Sequence, residues 1–330
     1  MKIAFAEYPE SRDRDITTEL EYLPDDAEVV FAVYDENDLE AYYEAMSDVD
    51  AVLTGFAPID KAAIDRMGNC RVISVQATGW DCVDHEYARS KGIATCAVGE
   101  YCTQEVADHT IALMLALQRR LPYLQRRVNI DRSWDVLAPL GELGVRRIEG
   151  QVIGIVGFGK IGRAVAKRAK SFGMEVLAYD PYIPDSVVAD MGGTPVDIET
   201  LLAESDVITV HMNMTSENES FFSAKRFSRM LKRPVFLNIA RGGMVDEDDL
   251  VVALDNGQIR GAGLDVLASE SPDLQNCRLI GREDVIVTPH TAFFSNESIE
   301  DCERISIENI CHYIDGDKDK VFKLVEDPDR

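Results

Sequence analysis

Short runs of β-branched and aliphatic residues alternate with helical patterns along the whole 330-residue chain, and nothing else in the sequence limits the fold as strongly. Such alternation points to parallel sheets covered by helices, so an α/β architecture is expected. In the first third the strand-like runs are Lys2–Ala6, Glu28–Tyr34, Ala51–Thr54, Val72–Gln76 and Ile93–Ala97, with Asn37–Met46 and Ile59–Met67 reading as helices between them. This looks like a small flavodoxin-like unit. A long helix, Cys102–Arg119, follows, with Val106, Ile111, Leu113, Met114 and Leu117 on its apolar face. After an irregular stretch through Trp134 and Gly144, a second α/β unit opens at Gln151. Its strands read as Val152–Val156, Val176–Tyr179, Val207–Val210, Val235–Ile239, Ala262–Leu264 and Val285–Thr288. Glu297–Ile314 is a further amphipathic helix, closed by an Asp315-Gly316-Asp317 turn.

The residues just past the strands of the second unit are Gly157, Asp180, His211, Ala240-Arg241, Asp265 and Pro289-His290. Doubly wound sheets bind ligands outside the carboxyl ends of their strands, so this collection of polar and glycine residues describes a site. Gly157-Phe158-Gly159-Lys160-Ile161-Gly162 is a G-x-G-x-x-G turn between an apolar strand and a helix whose expected buried face is Ile161, Val165, Ala169 and Phe172. Gly157 suits a tight turn, Gly159 a close approach of backbone to pyrophosphate, and Gly162 close helix–strand packing. The helix N-terminus adds unpaired N–H groups and the positive end of its dipole. Asp180, about 20 residues on, stands where an acid meets the ribose hydroxyls. Pro181 and Tyr182 follow it where NADP binding would favour a basic residue, so NAD is the expected cofactor.

Composition narrows the classes further. Hydrophobic residues make up 46% and charged residues 28%, enough for a sizeable core, and the length suggests two domains. Fifty-nine acidic residues against 34 Lys and Arg give a net charge of −25, which argues against nucleic-acid and anionic-membrane partners. No apolar run approaches the roughly 18 residues of a membrane span. The start, Met1-Lys2-Ile3-Ala4-Phe5, reads as a first strand rather than a signal peptide, so a cytoplasmic protein is expected. The seven cysteines show no C-x-x-C pair and no metal-ligand spacing with the five histidines; reduced, mostly buried thiols and no metal are expected.

Arg241, Glu270 and His290 remain. Reduction of a ketone by hydride needs an acid for the developing alkoxide, and a histidine partnered by a carboxylate suits that role. An arginine can clamp a carboxylate two-pronged. Each also has a plain reading, as a surface ion pair, a solvated loop acid and a strand-end histidine.

Asn238-Ile239-Ala240-Arg241-Gly242-Gly243-Met244-Val245-Asp246 resembles the N-x-A-R-G-x-x-V-D segment of the D-isomer-specific 2-hydroxyacid dehydrogenases. Gly263-Leu264-Asp265-Val266, Glu270 five residues after Asp265, and Thr288-Pro289-His290-Thr291-Ala292 extend the likeness, which runs from about Val72 to Glu297. Within the family the glycine turn and Tyr179-Asp180-Pro181-Tyr182 are most similar to the C-terminal binding protein branch, with glycerate and phosphoglycerate dehydrogenase-like enzymes close behind. The resemblance implies that Arg241 binds the substrate carboxylate and keto oxygen, that His290 is the proton donor or acceptor, and that Glu270 is its partner. It implies that Asp265 contacts the nicotinamide carboxamide, that Val106 packs by the cofactor, and that Met212–Thr215 line its adenine and ribose side. His211 becomes cofactor-side scaffolding, and Ala77, Thr78 and Gly79 form the substrate loop, with Thr78 and Gly79 offering amides. His85, His109 and His312 read as structural.

The family fold implies two doubly wound domains: a flavodoxin-like substrate domain of residues 1–101 plus 295–330, and a Rossmann NAD-binding domain of residues 102–294. Crossings near Tyr101 and Ser295 would form a hinge whose closure excludes water. A homodimer through the 120–150 stretch is implied as well. The chain departs from the family pattern at Ser271, at Val75 and Ala77, which replace Arg and Gly of R-x-G-x-G-x-D, and at Phe293, where the C-terminal binding proteins carry Trp. The expected activity is NAD-dependent interconversion of a small 2-keto acid, of the hydroxypyruvate or glyoxylate type, and its D-2-hydroxy acid. Two alternatives stand beside it: 3-phosphoglycerate dehydrogenase activity, and a non-enzymatic NAD-sensing scaffold. The acidic surface and the lack of an extension beyond residue 330 favour the enzyme.

Overall fold

The computed structural model describes residues 1–135 and 144–329, and the chain divides into two compact units, Met1–Cys102 with Phe294–Arg330, and Thr103–Phe293. The first unit holds parallel strands β1 (Lys2–Glu7), β2 (Glu28–Val33), β3 (Ala51–Thr54), β4 (Val72–Val75) and β5 (Ala94–Ala97). The second holds β6 (Val152–Val156), β7 (Glu175–Tyr179), β8 (Thr194–Pro195), β9 (Val207–Val210), β10 (Val235–Asn238), β11 (Gly261–Leu264) and β12 (Val285–Val287). A last strand, β13 (Leu324–Glu326), returns to the first unit and pairs antiparallel with β5. The sheet orders are β13-β5-β4-β3-β1-β2 and β12-β11-β10-β9-β6-β7-β8.

In the second sheet the chain leaves β6 outward through β7 and β8, then returns to build β9 to β12 on the other side. The strand order therefore reverses between β6 and β9, and the crevice at that reversal is where such sheets bind ligands. The strands β3, β4, β5, β9, β10 and β11 are buried at every residue, the continuous apolar run that parallel strands covered on both faces require. Under β10, Phe236 meets Phe222 and Phe227 edge-on with ring centroids 4.9 and 5.5 Å away. All three rings are fully buried, each burial stabilising by about 1.5–3 kcal/mol. This cluster fixes the strand from whose end Arg241 emerges.

The helix Thr103–Gln118 buries Val106, Ile111, Leu113, Met114 and Leu117, the expected stripe. The helix Asn296–Asp315 starts with a reciprocal Ser295/Ser298 capping box and stops at Gly316, whose φ of 86° only glycine adopts at little cost. Two expectations are corrected. Phe172 caps the helix Lys160–Ser171 and is 41% exposed, and the buried face is instead Gly162, Val165, Ala166 and Ala169, with Ile161 partly buried. The stretch after Arg119 is not irregular throughout: Leu121–Asn129 is helical, started by Pro122 in its first turn, where a missing N–H costs nothing. Residues 136–143 of that stretch lie outside the described residues. No helix of the described residues is long and apolar enough to cross a membrane.

Candidate active site

The glycine turn after β6 shows three different reasons for its three glycines. Gly157 has φ +96°, and a Cβ there would lie 2.7 Å from the His211 carbonyl carbon and the Met212 nitrogen. A Cβ on Gly162 would lie 2.2 Å from the Gly157 carbonyl oxygen, so helix and turn touch backbone to backbone. At Gly159 nothing stands within 4 Å, leaving room for a pyrophosphate beside the N-terminus of a 12-residue helix. The chain therefore fits a dinucleotide. Lys160 and Ile161 open that helix, and Phe158 is wholly buried.

Asp180 sits at the end of β7, and one of its oxygens accepts the Phe158 N–H at 2.7 Å. The other accepts Tyr182 N–H at 2.9 Å and Ile183 N–H at 3.2 Å. The acid thus ties the glycine turn to the turn after its own strand. His211, past β9, has Nε2 2.9 Å from Thr209 Oγ1, and burial pushes its pKa down to about 3. It is neutral near pH 7 and no proton donor there. Met212 packs partly against the core, while Thr215 N–H is held by Asn218.

Arg241 follows β10 and opens a short 3-10 turn, Gly242–Met244. Buried Asn238 shapes this bend: its amide donates to the Arg241 carbonyl at 2.9 Å and accepts the Ala240 N–H at 3.2 Å. Arg241 Nη1 donates to the Ala240 carbonyl at 2.9 Å. Next to it, Gly242 is crossed by the chain leaving β11, with a built Cβ only 1.8 Å from the Leu267 oxygen. That chain carries Glu270, and Glu247 anchors it through Ala268 N–H at 2.6 Å. Glu270 Oε2 lies 2.9 Å from His290 Nδ1, the histidine side chain 20% and the acid 47% exposed. The Phe293 ring stands edge-on to the imidazole at 6.3 Å.

Asp265 is 2% exposed and gathers the chain around His290: it accepts Thr288 Oγ1–H at 2.5 Å, Thr291 N–H at 3.0 Å and Ala292 N–H at 2.9 Å. In the first unit, Ala77 is buried and Thr78 Oγ1 donates to the Gly99 carbonyl at 2.7 Å. The neighbouring Val75 is fully buried among Ile73, Ala97 and other core residues. Val106 is buried on the helix Thr103–Gln118.

Sequence reasoning names Arg241, Glu270 and His290, and the fold collects all three at the carboxyl edge of the second sheet. It misses Asn238, Gly242, Glu247 and Thr288, which position them. Asn238 and Gly242 of N-x-A-R-G, and Thr288 of Thr288-Pro289-His290, carry the local signs of that work.

A parallel sheet with a glycine-lined crevice and a histidine–carboxylate pair at one edge defines a dinucleotide-dependent oxidoreductase. Residues 111–292 match the family model "D-isomer specific 2-hydroxyacid dehydrogenase, NAD binding domain". A glycerate dehydrogenase of Methylorubrum extorquens is 32% identical over 288 residues, covering 86% of this chain and 88% of that protein. A hydroxypyruvate reductase of Blautia hydrogenotrophica is 32% identical over 295 residues, 86% and 89% of the two chains. Among solved structures, an acyclic imino acid reductase in complex with NADPH and D-Arg superposes with a TM-score of 0.85 at 27% identity, covering 99% of this chain and 100% of that one. This chain belongs to the D-isomer specific 2-hydroxyacid dehydrogenases. It is an NAD-dependent enzyme that interconverts 2-keto and 2-hydroxy acids.

Proposed function

We propose that the substrate is a small, unphosphorylated 2-keto acid of the hydroxypyruvate or glyoxylate type, reduced to its D-2-hydroxy acid with NADH preferred over NADPH. The observation that carries this reading is the 2.9 Å contact of His290 Nδ1 with Glu270 Oε2, at the sheet edge that also bears Arg241. Bound NADH supplies the hydride. Glu270 holds the imidazole by Nδ1, which turns Nε2 toward the role of delivering a proton to the developing alkoxide. Arg241 clamps the carboxylate and polarises the keto oxygen. Ala77, Thr78 and Gly79 make the substrate loop, with Thr78 and Gly79 presenting backbone amides, and Phe293 forms an aromatic wall.

On the cofactor side Gly157, Phe158, Gly159, Lys160, Ile161 and Gly162 cradle the pyrophosphate, and Asp180 meets the ribose hydroxyls. Val106, His211, Met212, Thr215 and Ala240 line the cofactor, and Asp265 faces the carboxamide. A carboxylate has about four acceptor positions, and the three hydrogen bonds Asp265 accepts within the chain are compatible with one more.

The two relatives are named for the two ends of one reaction, since oxidising glycerate at C2 gives hydroxypyruvate. A phosphorylated keto acid adds roughly two negative charges. Position 75, where the family pattern carries Arg, is an apolar side chain in the core, and the chain carries −25 overall. The test is kcat/KM for hydroxypyruvate, glyoxylate, pyruvate and 3-phosphohydroxypyruvate at two ionic strengths, with pyruvate plus a primary amine as the imine arm. A tenfold preference for the phosphorylated acid, about 1.4 kcal/mol of transition-state stabilisation, refutes the substrate class. Preference for the imine refutes the keto-acid reading. NADH binding with no turnover of any of the four acids also refutes the proposed substrate class.

We also propose a homodimer in the cytoplasm. Leu121, Leu124, Val128, Ile130 and Trp134 are 52, 37, 42, 71 and 83% exposed, an apolar run on one short segment of the kind that marks an interface. Free thiols at all seven cysteines suit a reducing compartment. Sedimentation equilibrium of the wild type and of Leu124→Glu tests the dimer; a monomeric wild type refutes it.

A further inference from the structure

His109 has no part in the chemistry above, yet it ends a hydrogen-bonded chain that reaches the His290 loop. Its Nε2 lies 3.0 Å from Thr288 Oγ1, and Thr288 Oγ1 lies 2.5 Å from Asp265 Oδ1. Asp265 in turn holds the three residues that follow Pro289. Its backbone carbonyl accepts His290 N–H at 2.7 Å, and its carboxylate accepts the amides of Thr291 and Ala292 at 3.0 and 2.9 Å.

The direction of each bond follows by elimination. A carboxylate only accepts, so the Thr288 hydroxyl hydrogen points at Asp265. Thr288 Oγ1 then has only lone pairs for His109, so Nε2 of His109 carries a hydrogen. The same Nε2 is 3.6 Å from Asp265 Oδ1, so imidazole, hydroxyl and carboxylate are gathered in one place. The chain therefore runs one way, from imidazole through hydroxyl to carboxylate, and each bond polarises the next.

What this chain holds is a strained segment. His290 has φ +51°, in the left-handed region that a non-glycine residue occupies only under strain. Such a conformation persists only where the surroundings over-determine it. We propose that His109 is a positioning residue for His290. Through Thr288 and Asp265 it fixes the 288–292 loop, so that the imidazole keeps its left-handed backbone and its bond to Glu270. The inference rests on His290 acting as the proton donor.

His109→Phe keeps a ring on the helix and removes the donor. The expected result is a fall in kcat of roughly tenfold to a hundredfold, the order that a displacement of about 1 Å costs. KM for the keto acid and Kd for NADH stay within about twofold, because neither ligand is held by His109. His109→Gln restores an N–H at similar reach and recovers most of kcat. In a His290→Gln background His109→Phe brings no further loss, since its effect passes through the group already removed. Thr288→Val, rescued by Thr288→Ser, gives the same pattern and serves where His109→Phe folds poorly. A His109→Phe enzyme with kcat unchanged, or one that loses the same factor in the His290→Gln background, overturns the proposal. So does a Gln variant no better than Phe. Failure of the underlying reading looks different: His290→Gln alone would then run at the wild-type rate.

Discussion

Gly242 is the place where one added methyl group tests the site most directly. A Cβ there would lie 1.8 Å from the Leu267 oxygen and 2.0 Å from its carbonyl carbon, and both are backbone atoms. Real contacts of a Cβ essentially never fall under 3.0 Å, so in Gly242→Ala the two segments must separate by at least about 1.2 Å. Leu267 is three residues from Glu270, whose 2.9 Å bond to His290 does not survive a shift of that size within hydrogen-bonding range. The enzyme should lose roughly a hundredfold in kcat, with about 1–3 kcal/mol of stability lost to overpacking. NADH binding should weaken far less than kcat falls, because Gly157 to Gly162 and Asp180 follow β6 and β7, away from the displaced segments. Steady-state kinetics, NADH fluorescence titration and denaturant melts separate these effects. A wild-type kcat would refute the argument. A rise in KM for the keto acid at constant kcat would show that Arg241 had moved rather than Glu270, and would refute it equally.

Other expectations follow from the same geometry. His290→Gln should lower kcat by at least roughly a hundredfold and Glu270→Gln by less, both measured with NADH and the best keto acid. Asp180→Ala should narrow the NADH over NADPH preference in kcat/KM and also lower Tm, because the carboxylate holds the Phe158 and Tyr182 amides. Phe236→Ala should cost about 3–5 kcal/mol in the unfolding of the second unit, read from denaturant midpoints. His211 stays neutral down to about pH 3 when folded but takes a proton near pH 6.5 when unfolded, so stability should fall as pH drops through that window. Tm measured from pH 7 to pH 4 should decline less steeply in His211→Gln, and an equal slope would refute the burial argument.

The long buried strands were legible because their chemistry is continuous. Ala51–Thr54, Val152–Val156 and Val207–Val210 begin and end where the apolar runs do. The helices Thr17–Tyr22, His85–Ser90 and Ala224–Phe227 were not, since four to six residues are too few for a helical period to declare itself. The antiparallel strand Leu324–Glu326 is three half-buried residues at a sheet edge, and its place is set by Cys96 and Thr95, far away in the chain. The same division runs through the site. Residues that carry charge announce themselves, whereas those that aim them do so across long separations, as His109 and Thr288 do 179 positions apart.

The first unit is discontinuous, and in the sequence its two pieces flank the contiguous second one. On a ribosome adding about 5–20 residues per second, residues 1–102 wait roughly 11–45 s for the strand Leu324–Glu326 that completes their sheet. During that interval β5 is an unpaired edge, because its neighbour β13 is not yet made. The nucleotide-binding unit, by contrast, has all its strands as soon as β12 emerges. If the second unit folds first, NAD should steady it while the first still lacks β13, and chaperone dependence should concentrate in residues 1–102.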